Sequence, residues 1–138
     1  MKLTQTTKRK AGMTLLELTV VILVLLSLIS ILFIGARAWK KGSDRAANIL
    51  NIRNVQQAVR GHENMRSLAV GAEVPTSIIF GDGTAANQGY LKEPQSPVTG
   101  ITYTGNYLEE VPDVGVLYLD PVYTVTQEDY HPTDTESW

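Results

Sequence analysis

Lys8-Arg9-Lys10-Ala11-Gly12-Met13-Thr14-Leu15-Leu16-Glu17-Leu18 opens into the run LTVVILVLLSLISILFIGA, residues 18–36, and this stretch decides how the chain is organised. The run carries no charge, and the apolar segment reaches back to Met13 with Glu17 as its single ionisable group. As a helix rising about 1.5 Å per residue, the uncharged part alone covers roughly 28 Å, close to the roughly 30 Å hydrocarbon core of a bilayer. A buried helix of this length with no polar face needs more surrounding protein than the remaining residues supply. The segment therefore reads as membrane-spanning.

Working outward, residues 1–12 carry Lys2, Lys8, Arg9 and Lys10 and no acid, which marks a cationic leader rather than part of a folded domain. Beyond the run stand Arg37, Lys40, Lys41 and Arg45. Four basic residues flank each end, so charge counting leaves the orientation open. The chain then continues with apolar residues at Ala46, Ile49, Ile52, Val55 and Val59, spaced mostly three or four apart as on one helical stripe. No proline occurs between Met13 and Val74, so one helix from about Met13 to about Arg66 is expected, with Gly35, Gly42 and Gly61 as soft points. Gly42-Ser43-Asp44 competes as the cap of a separate second helix.

From Ser67 the texture changes to Gly, Pro, Thr, Tyr and Val. Short apolar bursts at 77–80, 101–104, 115–119 and 122–126 read as strands, separated by turn signals such as Gly81-Asp82-Gly83, Thr99-Gly100 and Pro112-Asp113. An antiparallel sheet of three or four strands is expected, burying one face on the helical stripe, because so small a sheet is not stable alone. The fold class is then α+β: a leader (1–12), a membrane-spanning helical segment (13–36), its amphipathic continuation (37–66) and a small β-rich head with a polar tail (67–138).

With 138 residues the chain is bounded at one small domain with attachments, which excludes a large multidomain enzyme. It contains no cysteine, so disulfides, Cys-ligated zinc, iron–sulfur clusters and thiol nucleophiles are excluded together. The formal charge of −2 hides a division: residues 13–66 carry +4, whereas 67–138 hold Lys92 against eleven acids. No basic stripe offers a nucleic-acid surface.

Gly81-Asp82-Gly83-Thr84-Ala85-Ala86 matches a dinucleotide fingerprint superficially, but no amphipathic helix follows before Pro94, and an ordinary turn explains it. His62 and His131 lie beside no nucleophile and orienting acid, so neither reads as catalytic. Asp113, Asp120, Glu128, Asp129 and Asp134 make calcium a weak alternative, with no EF-hand spacing and no ligands to name; no other cofactor is expected. The tyrosines at 90, 103, 107, 118, 123 and 130 read as sheet-packing residues, and the tail from Gln127 as mobile unless Trp138 docks.

The junction from Lys8 to Leu18, with its basic leader ending in Gly12, an apolar segment starting at Met13 and Glu17 four residues on, resembles the precursors of the type IV pilin-like family. That family includes type IV pilins and the pseudopilins of type II secretion. The resemblance implies that a prepilin peptidase cuts between Gly12 and Met13 and methylates the new amine. It further implies a cytoplasmic leader, a head outside the inner membrane, an inner-membrane assembly platform as partner, and self-association with other pilin-like subunits into a filament. Residues 48–59, 89–94, 96–97 and 100–103 are similar to a group of small members with short heads. The chain departs from the family in three ways. Met13 stands where phenylalanine is usual, no proline interrupts the hydrophobic half, and the head lacks a cysteine pair.

A lone charged carboxylate facing lipid costs on the order of 2.5–3.5 kcal/mol at the helix centre and less near the interface. Cleavage before Met13 would create a positive amine, and in staggered side-by-side helices that amine can neutralise Glu17 of the neighbour. Methylation keeps the charge and adds apolar surface. The expected anchor and filament core comprises Leu15, Leu16, Leu18, Val20, Val21, Ile22, Leu25, Leu28, Ile29, Leu32 and Phe33. Two other readings compete. One is an exported domain released by signal peptidase after Ala38, through Ala36-Arg37-Ala38. The other is an uncleaved single-pass protein with a periplasmic binding head.

Overall fold

Helical backbone begins at Lys10 and runs to Arg66 as α1, in a computed structural model that describes residues 10–138. The expected helix is therefore present and continuous through Gly42, and it starts inside the stretch read as leader. Lys2, Lys8 and Arg9 of that leader lie outside the described residues. The chain divides into two units, Met1–Lys41 and Gly42–Trp138.

In the first unit the described residues all belong to α1. Its hydroxyls turn back on their own helix: Thr19 donates to the Leu16 carbonyl at 2.8 Å, Ser27 to Val24 at 2.7 Å and Ser30 to Leu26 at 2.8 Å. Every such group satisfied locally is one that needs no water. By length and composition this helix is able to cross a membrane.

In the second unit the remainder of α1 is the spine of a small head. Ile52, Val55 and Val59 are fully buried against Val74, Ile79, Ile101, Tyr103, Val111, Leu117, Tyr118, Leu119 and Tyr130. Ile52, Val55 and Val59 belong to the expected stripe, but Ala46 is exposed and Ile49 only half-buried. The buried face runs instead through Asn48, Ile52, Val55, Gln56, Val59 and His62. α1 ends in a Schellman turn: Ser67 takes a left-handed conformation (φ 52°), and the Leu68 N–H reaches the Glu63 carbonyl at 3.1 Å.

The expected antiparallel sheet does not form among the described residues. Only isolated antiparallel bridges do, two of them joining Glu73 to Glu110 and Tyr107 to Leu119. Around these, residues 71–74 exchange backbone hydrogen bonds with 109–111, and residues 106–108 with 118–120. The stretch 77–80 is a short helix, α2 (Thr76–Phe80), not a strand. Pro75 precedes it, and the Ile78 N–H closes the turn on the Pro75 carbonyl at 3.0 Å. Residues 101–104 keep strand-like alternation, with Ile101 and Tyr103 buried between exposed Thr102 and Thr104, yet find no ladder partner. Of 115–119 only Leu119 is bridged, and 122–126 is irregular, with Val122 and Val125 pointing outward.

The physical reason lies in the punctuation. Positive-φ glycines at 71, 81, 83, 89, 100, 105 and 115, together with six prolines, cut the head up to Pro121 into runs of six residues or fewer, too short to propagate a long ladder. Loop closure depends on two of these glycines. A Cβ at Gly89 would land against the Gly81 nitrogen and the Phe80 carbonyl carbon, and one at Gly81 against the backbone of Asn87 and Gln88. The Ile79 carbonyl accepts from both Tyr90 (2.7 Å) and Leu91 (3.1 Å) at this crossing.

Candidate assembly surface

Glu17 stands on α1 one turn beyond Met13, exposed among exposed leucines. Gly12 and Met13 themselves lie on helical backbone. Leu15, Leu16, Leu18, Val20, Val21, Ile22, Leu25, Leu28, Ile29, Leu32 and Phe33 are all exposed, from 47% for Ile22 to 73% for Leu32. At about 100° per residue these positions go right round the helix, so the surface has no polar face and a single charge. The expected site residues therefore do not converge into a pocket. They form a continuous apolar surface with one carboxylate near its start, suited to contact with lipid or with other apolar helices.

The head is held by polar side chains of α1 that the sequence reading passed over. Asn48 donates to the Tyr130 carbonyl (3.0 Å) and to the Tyr123 hydroxyl (3.1 Å), and accepts from the Tyr103 hydroxyl at 2.7 Å. Gln56 bonds the backbone of Val116 and Tyr118 at once. Arg60 pairs with Glu63 (3.0 Å) and donates to the carbonyls of Pro112, Asp113 and Trp138. His62, buried, meets the Tyr90 hydroxyl through Nδ1 at 2.8 Å. The signal was available: Asn48, Gln56 and His62 sit three or four residues from Ile52, Val55 and Val59, on the same helical face.

Tyr103, Tyr118 and Tyr130 are core residues and Tyr107 and Tyr123 half-buried, so these five pack a core rather than a sheet, whereas Tyr90 is exposed. Burial raises the hydroxyl pKa of Tyr103, Tyr107 and Tyr123 and pushes that of Tyr118 up to about 12; at Tyr107 its hydrogen bond to Glu93 (3.0 Å) adds to the effect. Gly81-Asp82-Gly83 is the expected turn. Asp82 accepts from the Thr84 hydroxyl (2.6 Å) and N–H (2.9 Å), which hold its carboxyl below the usual range. Among the described residues no three His, Asp or Glu side chains converge as metal ligands. His131 reaches only Asp120 (3.4 Å) and the edge of Tyr123. Trp138 is docked, its ring 5.6 Å from the Arg53 guanidinium, so the expected mobile tail is anchored at that point.

Comparison with protein-family models, with curated proteins and with solved structures found no match to the chain.

Proposed function

We propose that this chain is a pilin-like structural subunit, a pilin or pseudopilin, processed by a prepilin peptidase between Gly12 and Met13 and assembled through the first half of α1. The observation that carries the reading is the apolar surface of residues 14–36, exposed on every side and with Glu17 as its single charge. Such a surface is insoluble in water and must be covered either by lipid or by other helices. A membrane covers it before assembly, and a bundle of like helices covers it in a filament. Glu17 marks the choice: it costs free energy against lipid and gains a partner when a neighbour's Met13 amine lies beside it. The role is structural, and the localisation is a single pass through the inner membrane with the head outside.

The test is Glu17→Ala in cells that assemble the filament. Membrane insertion of the variant stays intact and its incorporation into filaments falls at least tenfold. Wild-type incorporation by Glu17→Ala would sink the neutralisation argument.

A further inference from the structure

Arg37, Trp39, Lys40 and Lys41 follow Ala36 within five residues, all exposed, and no acid lies between Glu17 and Asp44. At about 100° per residue the three cations occupy an arc of roughly 100°, with Trp39 on the opposite side. Trp39 is 79% exposed. A bare indole level with long basic side chains, directly after an apolar span, suits the headgroup layer of a bilayer. There the ring sits at the boundary of the hydrocarbon while the basic side chains extend to phosphates.

We propose that Arg37, Trp39, Lys40 and Lys41 form a collar that binds anionic phospholipid headgroups and sets the depth of the helix. The collar rests on the membrane-spanning part of the proposed function and requires neither processing nor a filament. From Trp39 back to Glu17 is 22 residues, about 33 Å along the helix axis. The hydrocarbon core is about 30 Å thick. With the collar seated in one headgroup layer, Glu17 comes near the opposite boundary of the hydrocarbon, where its carboxylate costs less than at the helix centre. Net positive charge makes an anionic headgroup the favoured occupant, at about fivefold per engaged cation.

The experiment uses the full chain carrying Trp138→Phe, which leaves Trp39 as its only tryptophan. It is reconstituted in phosphatidylcholine vesicles with and without phosphatidylglycerol, and Trp39 fluorescence is quenched by lipids brominated at graded depths. The collar predicts strongest quenching near the headgroup, with brominated phosphatidylglycerol preferred over brominated phosphatidylcholine about fivefold or more. In the combined Arg37→Gln, Lys40→Gln, Lys41→Gln variant the preference falls to near unity and the Trp39 depth shifts. A protein that floats with the vesicles but shows equal quenching by both lipids, unchanged in the triple variant, overturns the collar and leaves the span standing. One that does not float with vesicles overturns both. Equal quenching together with self-association in detergent that the triple variant loses would assign the cations to the acidic head of a second copy, and would also overturn the collar.

Discussion

Gln56 holds Tyr118 by its backbone: the side-chain oxygen accepts the Tyr118 N–H at 2.9 Å while the side-chain nitrogen donates to the Val116 carbonyl at 3.0 Å. One amide on a helix thus takes the place of a neighbouring strand for a segment that lacks one. The same Tyr118 sends its hydroxyl to the Val74 carbonyl at 2.7 Å, so α1, the 71–74 segment and the 116–118 segment are joined through two side chains. Replacing Gln56 by Leu keeps the volume roughly constant and orphans a buried N–H and a carbonyl. Each orphaned group costs about 1–3 kcal/mol. Gln56→Leu is therefore expected to destabilise the head by about 2–4 kcal/mol, read from urea unfolding of the full chain in detergent by tyrosine near-UV circular dichroism. A midpoint within error of wild type would contradict the role given to Gln56.

Gly83 and Gly89 separate backbone freedom from close approach. Both are left-handed, at φ 80° and 69°, but a Cβ at Gly83 meets open space whereas one at Gly89 strikes backbone. Gly83→Ala is expected to cost about 1 kcal/mol from the backbone conformation alone. Gly89→Ala must in addition open the crossing of residues 79–81 with 89–91, so it is expected to cost more than 3 kcal/mol. The same unfolding measurement checks both, and equal losses would refute the crossing as a close contact.

The long helix was legible because its signals are local: an uninterrupted apolar run, no proline for some sixty residues, and a period of three to four at Ile52, Val55 and Val59. The sheet was misread because Ile78, Ile79 and Phe80 look β-like in isolation. The turn set by Pro75, and a core that wanted Ile79 at helical spacing, decided otherwise. Ile101 and Tyr103 show the limit from the other side. Their alternation was correct, but alternation does not reveal whether a partner strand exists. The exposed apolar surface of residues 14–36 with its single carboxylate was legible in the sequence because the feature is one-dimensional. Asn48, Gln56 and Arg60 were passed over because a polar residue within a helical stripe looks like a gap until its backbone partners, about 50 to 80 residues later, are brought to it.

High pH should weaken the head through its buried tyrosines. Burial pushes Tyr118 up to about 12 from its ordinary 10.0, so the folded state keeps its proton where the unfolded chain has lost it. Between those values the native state binds more protons, and stability must fall as pH rises; below about 10 the contribution is fully present. Tyr103, Tyr107 and Tyr123 are shifted in the same direction by burial and extend the effect. Unfolding midpoints are expected to be level below pH 10 as far as tyrosines are concerned and to drop above it, with tyrosinate absorbance lagging behind that of the urea-unfolded chain. Coincident titration curves for folded and unfolded protein would contradict the burial of these hydroxyls.

In the proposed assembly through residues 13–36 the chain must be cut before Met13, because the positive amine proposed to pair with Glu17 does not exist until then. Mass spectrometry of the N-terminal peptide of membrane-extracted protein tests this most directly. The account predicts a peptide beginning at Met13 and carrying one added methyl group. A peptide retaining residues 1–12, or one beginning at Trp39, would contradict it.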